Sequence, residues 1–244
     1  MALPIPPQQL RFMGEDERGF LEIGDGLLTS IRALSGFRAD GAIVDVGSGY
    51  GRLAHALLRS GFQGTYRGLE ILRPHVDWAQ QNLGNDRFSF SHLNIRNPRY
   101  NPHGTLDAAN VKLQDHASRC DLIVLTSVFT HMYEPEIENY FSCFARMLHP
   151  GGQIVCTFFL LTPERHEAIS KGESRLALPF VRPPVARYHN ESDPLHAIAF
   201  EQQWVEQVAQ RNGFALQSVT YGHWCNGQST RDRQYQDFIT LRMA

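Results

Sequence analysis

The sequence lacks any excess of charge that would mark a polyanionic partner. Its 23 lysines and arginines face 25 acidic residues, a formal net charge of −2. Such a balance leaves no electrostatic footprint for nucleic acid or an anionic membrane. Cysteine is scarce. Cys120, Cys143, Cys156 and Cys225 share no close spacing, which excludes a disulfide frame or a zinc motif and reads as scattered reduced thiols. No apolar run approaches the roughly 18 residues of a membrane span. The opening MALPIPPQQLRF places prolines where a signal peptide needs an apolar stretch. Internal repeats and low-complexity tracts are missing too. The expectation is a cytoplasmic protein with no membrane and no nucleic-acid partner. What is present is a core: 42% of residues are hydrophobic and 20% charged.

Strand and helix signals alternate along the chain. Phe20, Ile23, Leu27, Leu28, Ile31 and Leu34 fall at helical spacing, weakened by Gly24 and Gly26 and stopped at Gly36. Ala42–Val46 reads as a strand, Arg52–Ser60 as a helix, Thr65–Ile71 as a second strand. Pro74 suits the first turn of the next helix. Arg87–Leu93 is the third strand, Cys120–Ser127 the fourth, and Glu134–His149 a helix stopped by Pro150-Gly151-Gly152. Gln153–Leu161 is the fifth strand. Five prolines follow it, Pro163, Pro179, Pro183, Pro184 and Pro194, in a stretch too long for a connector and read as a cap. Glu201–Asn212 is a last helix, with Trp204 inward, before two strands, Phe214–Tyr221 and Tyr235–Arg242, that form an antiparallel hairpin. Alternation of this kind predicts an α/β fold with a mostly parallel sheet and helices on both faces. Ligands of such sheets bind beyond the carboxyl ends of the strands, where strand order reverses.

The first strand ends in VDVGSGYGRLAHAL. Gly47, Gly49 and Gly51 lie at alternate positions and lead into a helix, so the backbone there is stripped for close approach. A dinucleotide fingerprint needs a further glycine where Arg52 stands, which excludes the oxidoreductase reading. A tight strand-to-helix turn with no ligand is the bland alternative. Two acids weigh against it. Asp45 lies just before the loop, and Glu70 closes the second strand about 20 residues on, the placement of a carboxylate that takes ribose hydroxyls.

VDVGSGYG followed by GLE resembles the first two motifs of class I S-adenosylmethionine-dependent methyltransferases. Asn94-Ile95 after SHL, CDLIVLTSVFTHM and LHPGGQIVCTFF resemble the segments that follow in that family, over roughly Gly36 to Phe159. The N-terminal segment, SVFTHM and the terminal GHW…YQDF resemble a bacterial branch acting on small molecules or sugars. The resemblance implies a Rossmann-like doubly wound sheet of seven strands with a C-terminal antiparallel hairpin and a cap after strand five. One domain spans 1–244, with an N-terminal helical segment to about residue 40 and a cap over about 162–199. It implies S-adenosyl-L-methionine as cofactor and S-adenosyl-L-homocysteine as product. Gly47, Gly49 and Gly51 then run against the methionine part, and Asp45 orders the loop and faces the amino group. Glu70 takes the ribose hydroxyls, with Ile71 against the adenine; Asn94 bonds the adenine amine, with Ile95 beside it. Thr126, at the end of strand four, joins this set. Arg52 or Arg11 pairs with the cofactor carboxylate, unless it is a surface charge.

Methyl transfer to oxygen is an in-line displacement helped by a nearby base. His131 follows strand four directly and has a suitable ordinary pKa, so it is the expected base; holding the loop through its ring nitrogens is the competing role. His189, Glu191, Asp193 and His196 fit no common metal motif, and no metal is expected. Phe180, Val181 and Tyr188 of the cap are substrate walls or packing. Trp224, beside Cys225, is expected at an exposed turn that closes the pocket. Thr126-Ser127-Val128-Phe129 stands where a DNA amino-methyltransferase carries an Asn/Asp-Pro-Pro-aromatic clamp, and no Pro-Cys pair exists for cytosine C5 chemistry. The expected function is O-methylation of a small molecule such as a sugar or polyketide. The alternatives are N-methylation of a small amine, or a non-catalytic binding module that senses the cofactor or serves a partner. The acceptor and the oligomeric state are not legible.

Overall fold

The computed structural model describes residues 3–11, 16–225 and 234–244. Helix α1 (Glu17–Ser35) is opened by Asp16, whose carboxylate accepts from the Gly19 amide at 2.6 Å, and closed by Gly36 at φ 58°. Then come β1 (Ala42–Val46), α2 (Arg52–Arg59), β2 (Thr65–Glu70), α3 (Arg73–Leu83) and β3 (Phe88–His92). A long connection leads to β4 (Cys120–Leu125), α4 (Glu134–Met147) and β5 (Leu148–Phe158). The cap holds β6 (Leu160–Leu161), α5 (Pro163–Ser170), β7 (Phe180–Arg182), β8 (Ala186–Tyr188) and β9 (Ile198–Glu201). The chain closes with α6 (Gln202–Arg211), β10 (Phe214–Thr220) and β11 (Asp237–Met243).

The main sheet has seven strands in the order β10-β11-β5-β4-β1-β2-β3. Strands β1 to β5 are parallel, and β11 is antiparallel to both β5 and β10. From β1 the chain winds outward to β3; from β4 it winds the other way. Strand order therefore reverses between β1 and β4, and a crevice opens beyond their carboxyl ends. Alternate residues of each strand feed two cores. Val44, Val46, Ile123 and Leu125 face α4 and α6, whereas Ile43, Tyr66, Leu122 and Val124 face α1, α2 and α3. On α4, Ile137, Phe141 and Phe144 are fully buried, each contributing about 1.5–3 kcal/mol by removal from water. Among the described residues no helix is long and apolar enough to cross a membrane.

Strand β5 starts earlier than its glycines suggest. Leu148 pairs with Cys120, the register then shifts, and Gln153 resumes opposite Leu122. Pro150-Gly151-Gly152, with Gly151 at φ 74°, is thus an irregularity within the strand edge and not a stop before it. The far end is shorter, because Leu160–Leu161 leaves the main sheet and joins a second one, ordered β6-β9-β8-β7.

The cap is fastened to the main sheet by a buried polar cluster. Asp237, fully buried at the start of β11, accepts from Arg165 of α5 at 2.5 and 2.8 Å. It also accepts from the Leu160 and Gly222 amides and from Trp224 Nε1 at 2.7 Å. Trp224 does not close a pocket: it is 0% exposed, in a core with Phe159, Leu161 and Leu178. The burial follows from the hydrogen bond, since an indole satisfied by a buried carboxylate gains its full apolar area at no polar cost. Trp204 is half-buried and stacks on Phe200 at 5.1 Å.

Candidate active site

The glycine loop leaves β1 at the edge of the crevice. Gly47, Gly49 and Gly51 all take positive φ, at 76°, 54° and 83°, but their surroundings differ. A Cβ on Gly47 would stand 2.3 Å from Val128 Cγ2, and one on Gly51 2.7 Å from Leu83 Cδ1. These two are crowded by the protein itself. A Cβ on Gly49 would meet nothing within 4 Å. Gly49 therefore exposes bare backbone to open space, which is what a ligand lying along the loop requires.

Glu70 holds that backbone in place. Its Oε2 accepts from the Gly49 amide at 2.8 Å, and Oε1 accepts from the Ile71 and Leu72 amides at 2.7 and 2.8 Å. Oε1 is thereby saturated, whereas Oε2 keeps a further lone pair for a hydroxyl donor. Burial nonetheless raises its pKa above the ordinary carboxylate value. Asp45, in β1, is buried at 3% exposure and accepts from the Tyr66 hydroxyl at 2.6 Å. Burial drives its pKa up from 3.8 to about 7, and the hydrogen bond from Tyr66 pulls the other way. A cation beside Asp45 would restore its charge. Tyr66 was overlooked in the sequence, although it alternates with Gly68 and Glu70 along β2 and so shares their face.

On the other side of the crevice, β4 runs into a strained turn. Ser127 is the sole non-glycine residue with positive φ among the described residues, at 56°. Val128 then covers Gly47, and a 3-10 turn over Phe129–His131 follows. His131 Nδ1 bonds the Leu195 carbonyl at 2.8 Å, so in the neutral ring Nδ1 carries the proton and Nε2 the lone pair. Burial lowers the His131 pKa below 6.5, favouring that neutral form. The ring also stands edge-on to Tyr100 at 5.3 Å. No described residue bonds Nε2. Tyr100 and Leu195 line an adjoining cleft of about 580 Å³, together with Pro98, Arg99, Tyr133 and Asp193. Arg99 and Asp193 form an ion pair across it.

A family model described as a methyltransferase domain matches residues 22–219. The chain belongs to this family. It is an enzyme of the EC 2.1.1 class with the seven-stranded Rossmann-like sheet. The magnesium protoporphyrin IX methyltransferase of Synechocystis PCC 6803, solved with SAH, is similar in fold. It has 17% identity and a TM-score of 0.58, over 98% of this chain and 90% of that one. A glycopeptide N-methyltransferase complexed with sinefungin has 15% identity and a TM-score of 0.57, over 91% of this chain and 87% of that one. The 4+2 cyclase SpnF also shares the fold, at 15% identity and a TM-score of 0.52, over 80% of this chain and 58% of that one.

The methyltransferase does not bring all the expected residues equally to the crevice. Gly49, Glu70 and the half-buried Ile71 converge, Asp45 lies in β1 one residue before its end at Val46, and half-buried Thr126 directly follows β4. Ile95 is only 2% exposed, within the core. It sits where the backbone bridges to Leu106, and its side chain belongs to the core cluster that holds Leu93 and Leu113. Asn94 is occupied in the same connection: Nδ2 donates to Thr105 Oγ1 at 3.1 Å, and Oδ1 accepts from Asn101 at 3.2 Å. Arg52 is not a surface charge; its Nη2 donates to the Tyr50 hydroxyl at 2.6 Å. Arg11 is half-buried, and its Nε and Nη1 are buried with no hydrogen-bond partner among the described residues. Such a guanidinium suits an anion. In the cap, Phe180 stacks on Tyr188 at 5.3 Å, and Val181 is exposed. No group of three or more His, Cys, Asp or Glu among the described residues could hold a metal ion.

Proposed function

We propose that this methyltransferase transfers a methyl group to a hydroxyl of a small molecule, with His131 as the general base. S-adenosylmethionine is the methyl donor, and when bound it supplies a methyl activated on a sulfonium. The residues present fit it. Gly49 offers open backbone, Glu70 keeps an Oε2 lone pair for a ribose hydroxyl, and Asp45 offers a carboxylate that an ammonium would ionise. Arg11, half-buried, offers two buried guanidinium nitrogens, Nε and Nη1, without a partner among the described residues, for the donor's carboxylate.

One observation carries the hydroxyl reading: the Leu195 carbonyl holds His131 Nδ1 and leaves Nε2 as the acceptor. In the step, the acceptor oxygen takes the methyl while its proton passes to Nε2, so no free alkoxide forms. The half-buried setting favours the neutral imidazole before the step. Holding the cap turn and serving as base are compatible, because they use different nitrogens. A positioned base contributes about 10²–10⁴-fold. His131→Ala should lower kcat in that range while S-adenosylhomocysteine affinity by calorimetry stays within about threefold. The assay is S-adenosylhomocysteine release over sugar, polyketide and phenolic acceptors. Turnover with amines alone, unaffected by His131→Ala, would favour the second reading, an N-methyltransferase, which needs no such base when the amine is already neutral.

A further inference from the structure

Gln236 stands just before β11, half-buried, at the carboxyl edge of β4 and β5. Its Oε1 accepts from Thr157 Oγ1 at 2.6 Å and from Ser127 Oγ at 3.1 Å. Thr157 Oγ1 in turn accepts from the Ser127 amide at 2.8 Å, so its own proton is free to go to Gln236. In this arrangement both hydroxyl protons go to Oε1, the end of the carboxamide that faces the strand edge. The other end, Nε2, has two donors and no bond to any described residue. Ser127 takes part in this arrangement while held at φ 56°, a left-handed conformation that costs a serine about 1–2 kcal/mol. Its neighbour Val128 covers Gly47. A donor pair that no described residue bonds thus lies at the carboxyl ends of β4 and β5, the same edge of the parallel sheet from which the glycine loop leaves β1.

We propose that Gln236 positions the acceptor by donating from Nε2 to an oxygen on the carbon next to the methylated hydroxyl. This rests on the hydroxyl reading above. It assigns the acceptor class: a hydroxyl flanked by a second oxygen, as in a vicinal diol, a catechol or a hydroxy-carbonyl compound.

The test uses matched probes, catechol against phenol and trans-cyclohexane-1,2-diol against cyclohexanol, titrated into the whole protein at pH 8 with and without S-adenosylhomocysteine. The wild type should prefer the flanked member of a pair by about tenfold, the worth of one hydrogen bond to an otherwise unmet donor. Gln236→Glu discriminates positioning from mere structure. Its carboxylate still accepts from Ser127 and Thr157 but has nothing to donate. The variant should keep its melting temperature and its S-adenosylhomocysteine affinity while the preference falls below about twofold. Gln236→Met, of similar length and without polar atoms, should lose the preference as well. A preference absent from the wild type in both pairs, or intact in Gln236→Glu, overturns the proposal. Failure of S-adenosylhomocysteine to bind at all would instead overturn the donor assignment, and its own titration reads that separately.

Discussion

The two sides of the crevice are built differently. The side proposed for the donor comes from residues 45–72 and is fixed through its backbone: Glu70 grips three amides, and the glycines supply conformation more than contacts. The opposite side is assembled from distant segments and fixed by side chains. Gln236 reaches Ser127 across 109 residues, His131 reaches Leu195 across 64, and Arg165 reaches Asp237 across 72. Backbone anchoring suits a ligand common to a whole family. Side-chain anchoring can be changed one residue at a time, which suits an acceptor that varies.

The largest expected effect lies on the side-chain side. Asp237→Ala strands the buried Arg165 and should cost about 3–5 kcal/mol in urea unfolding. A double change, Asp237→Leu with Arg165→Met, should recover most of it, because removing both charges leaves neither unpaired.

A second pair of variants separates the glycines. Gly47→Ala drives a methyl against Val128 at a positive φ and should destabilise the protein by roughly 2–4 kcal/mol. Gly49→Ala meets no protein atom, so only the backbone term of about 1–2 kcal/mol applies. Its donor affinity should nevertheless fall at least about tenfold, since its methyl projects into the open space beside the loop. Equal effects of the two changes on stability would erase the distinction drawn between these positions.

Asp45 gives the donor side a pH signature. Its pKa is raised to about 7, so the stability it contributes is full below about 4 and is lost as pH climbs through 7. A cationic donor gains from the same ionisation. S-adenosylhomocysteine affinity should therefore rise by up to about tenfold per pH unit below 7 and level off above. Asp45→Asn should flatten that profile and stabilise the donor-free protein at pH 8 by about 1–3 kcal/mol. The smallest change expected is from Tyr66→Phe. Without the hydroxyl at 2.6 Å, the midpoint of the profile should move to higher pH, with affinity at pH 9 nearly unchanged.

The same contrast explains what could be read from the residues alone. Asp45, the three glycines and Glu70 lie close together in the chain, and strand and helix periods place them unaided. The β1 to β4 order and the terminal hairpin follow from alternation. Trp224 misleads because its neighbours are loop formers, and only the distant Asp237 makes its burial favourable. Ile95 joins the core cluster, which its apolar character alone does not distinguish from a place beside a ligand. Strand β5 misleads because glycines usually end a strand, whereas Leu148 is held by its pairing with Cys120. Gln236 carries no local sign; its meaning arises only once Ser127 and Thr157 are brought against it.

The parallel pairing of β6 with β9 has a consequence for how this protein can diversify. Leu160 leaves the main sheet directly after β5, and β9 ends at Glu201 directly before α6, with Leu160 opposite Phe200 and Leu161 opposite Glu201 in the second sheet. The excursion between them begins and ends at one doubly stitched point. Beyond that stitch, α5 stays tied to the main sheet through Arg165 and Asp237, and Leu195 holds His131. The β7–β8 hairpin is the part that can be lengthened, shortened or exchanged without shifting the frame beneath, and new acceptors become reachable through changes that leave the donor side untouched.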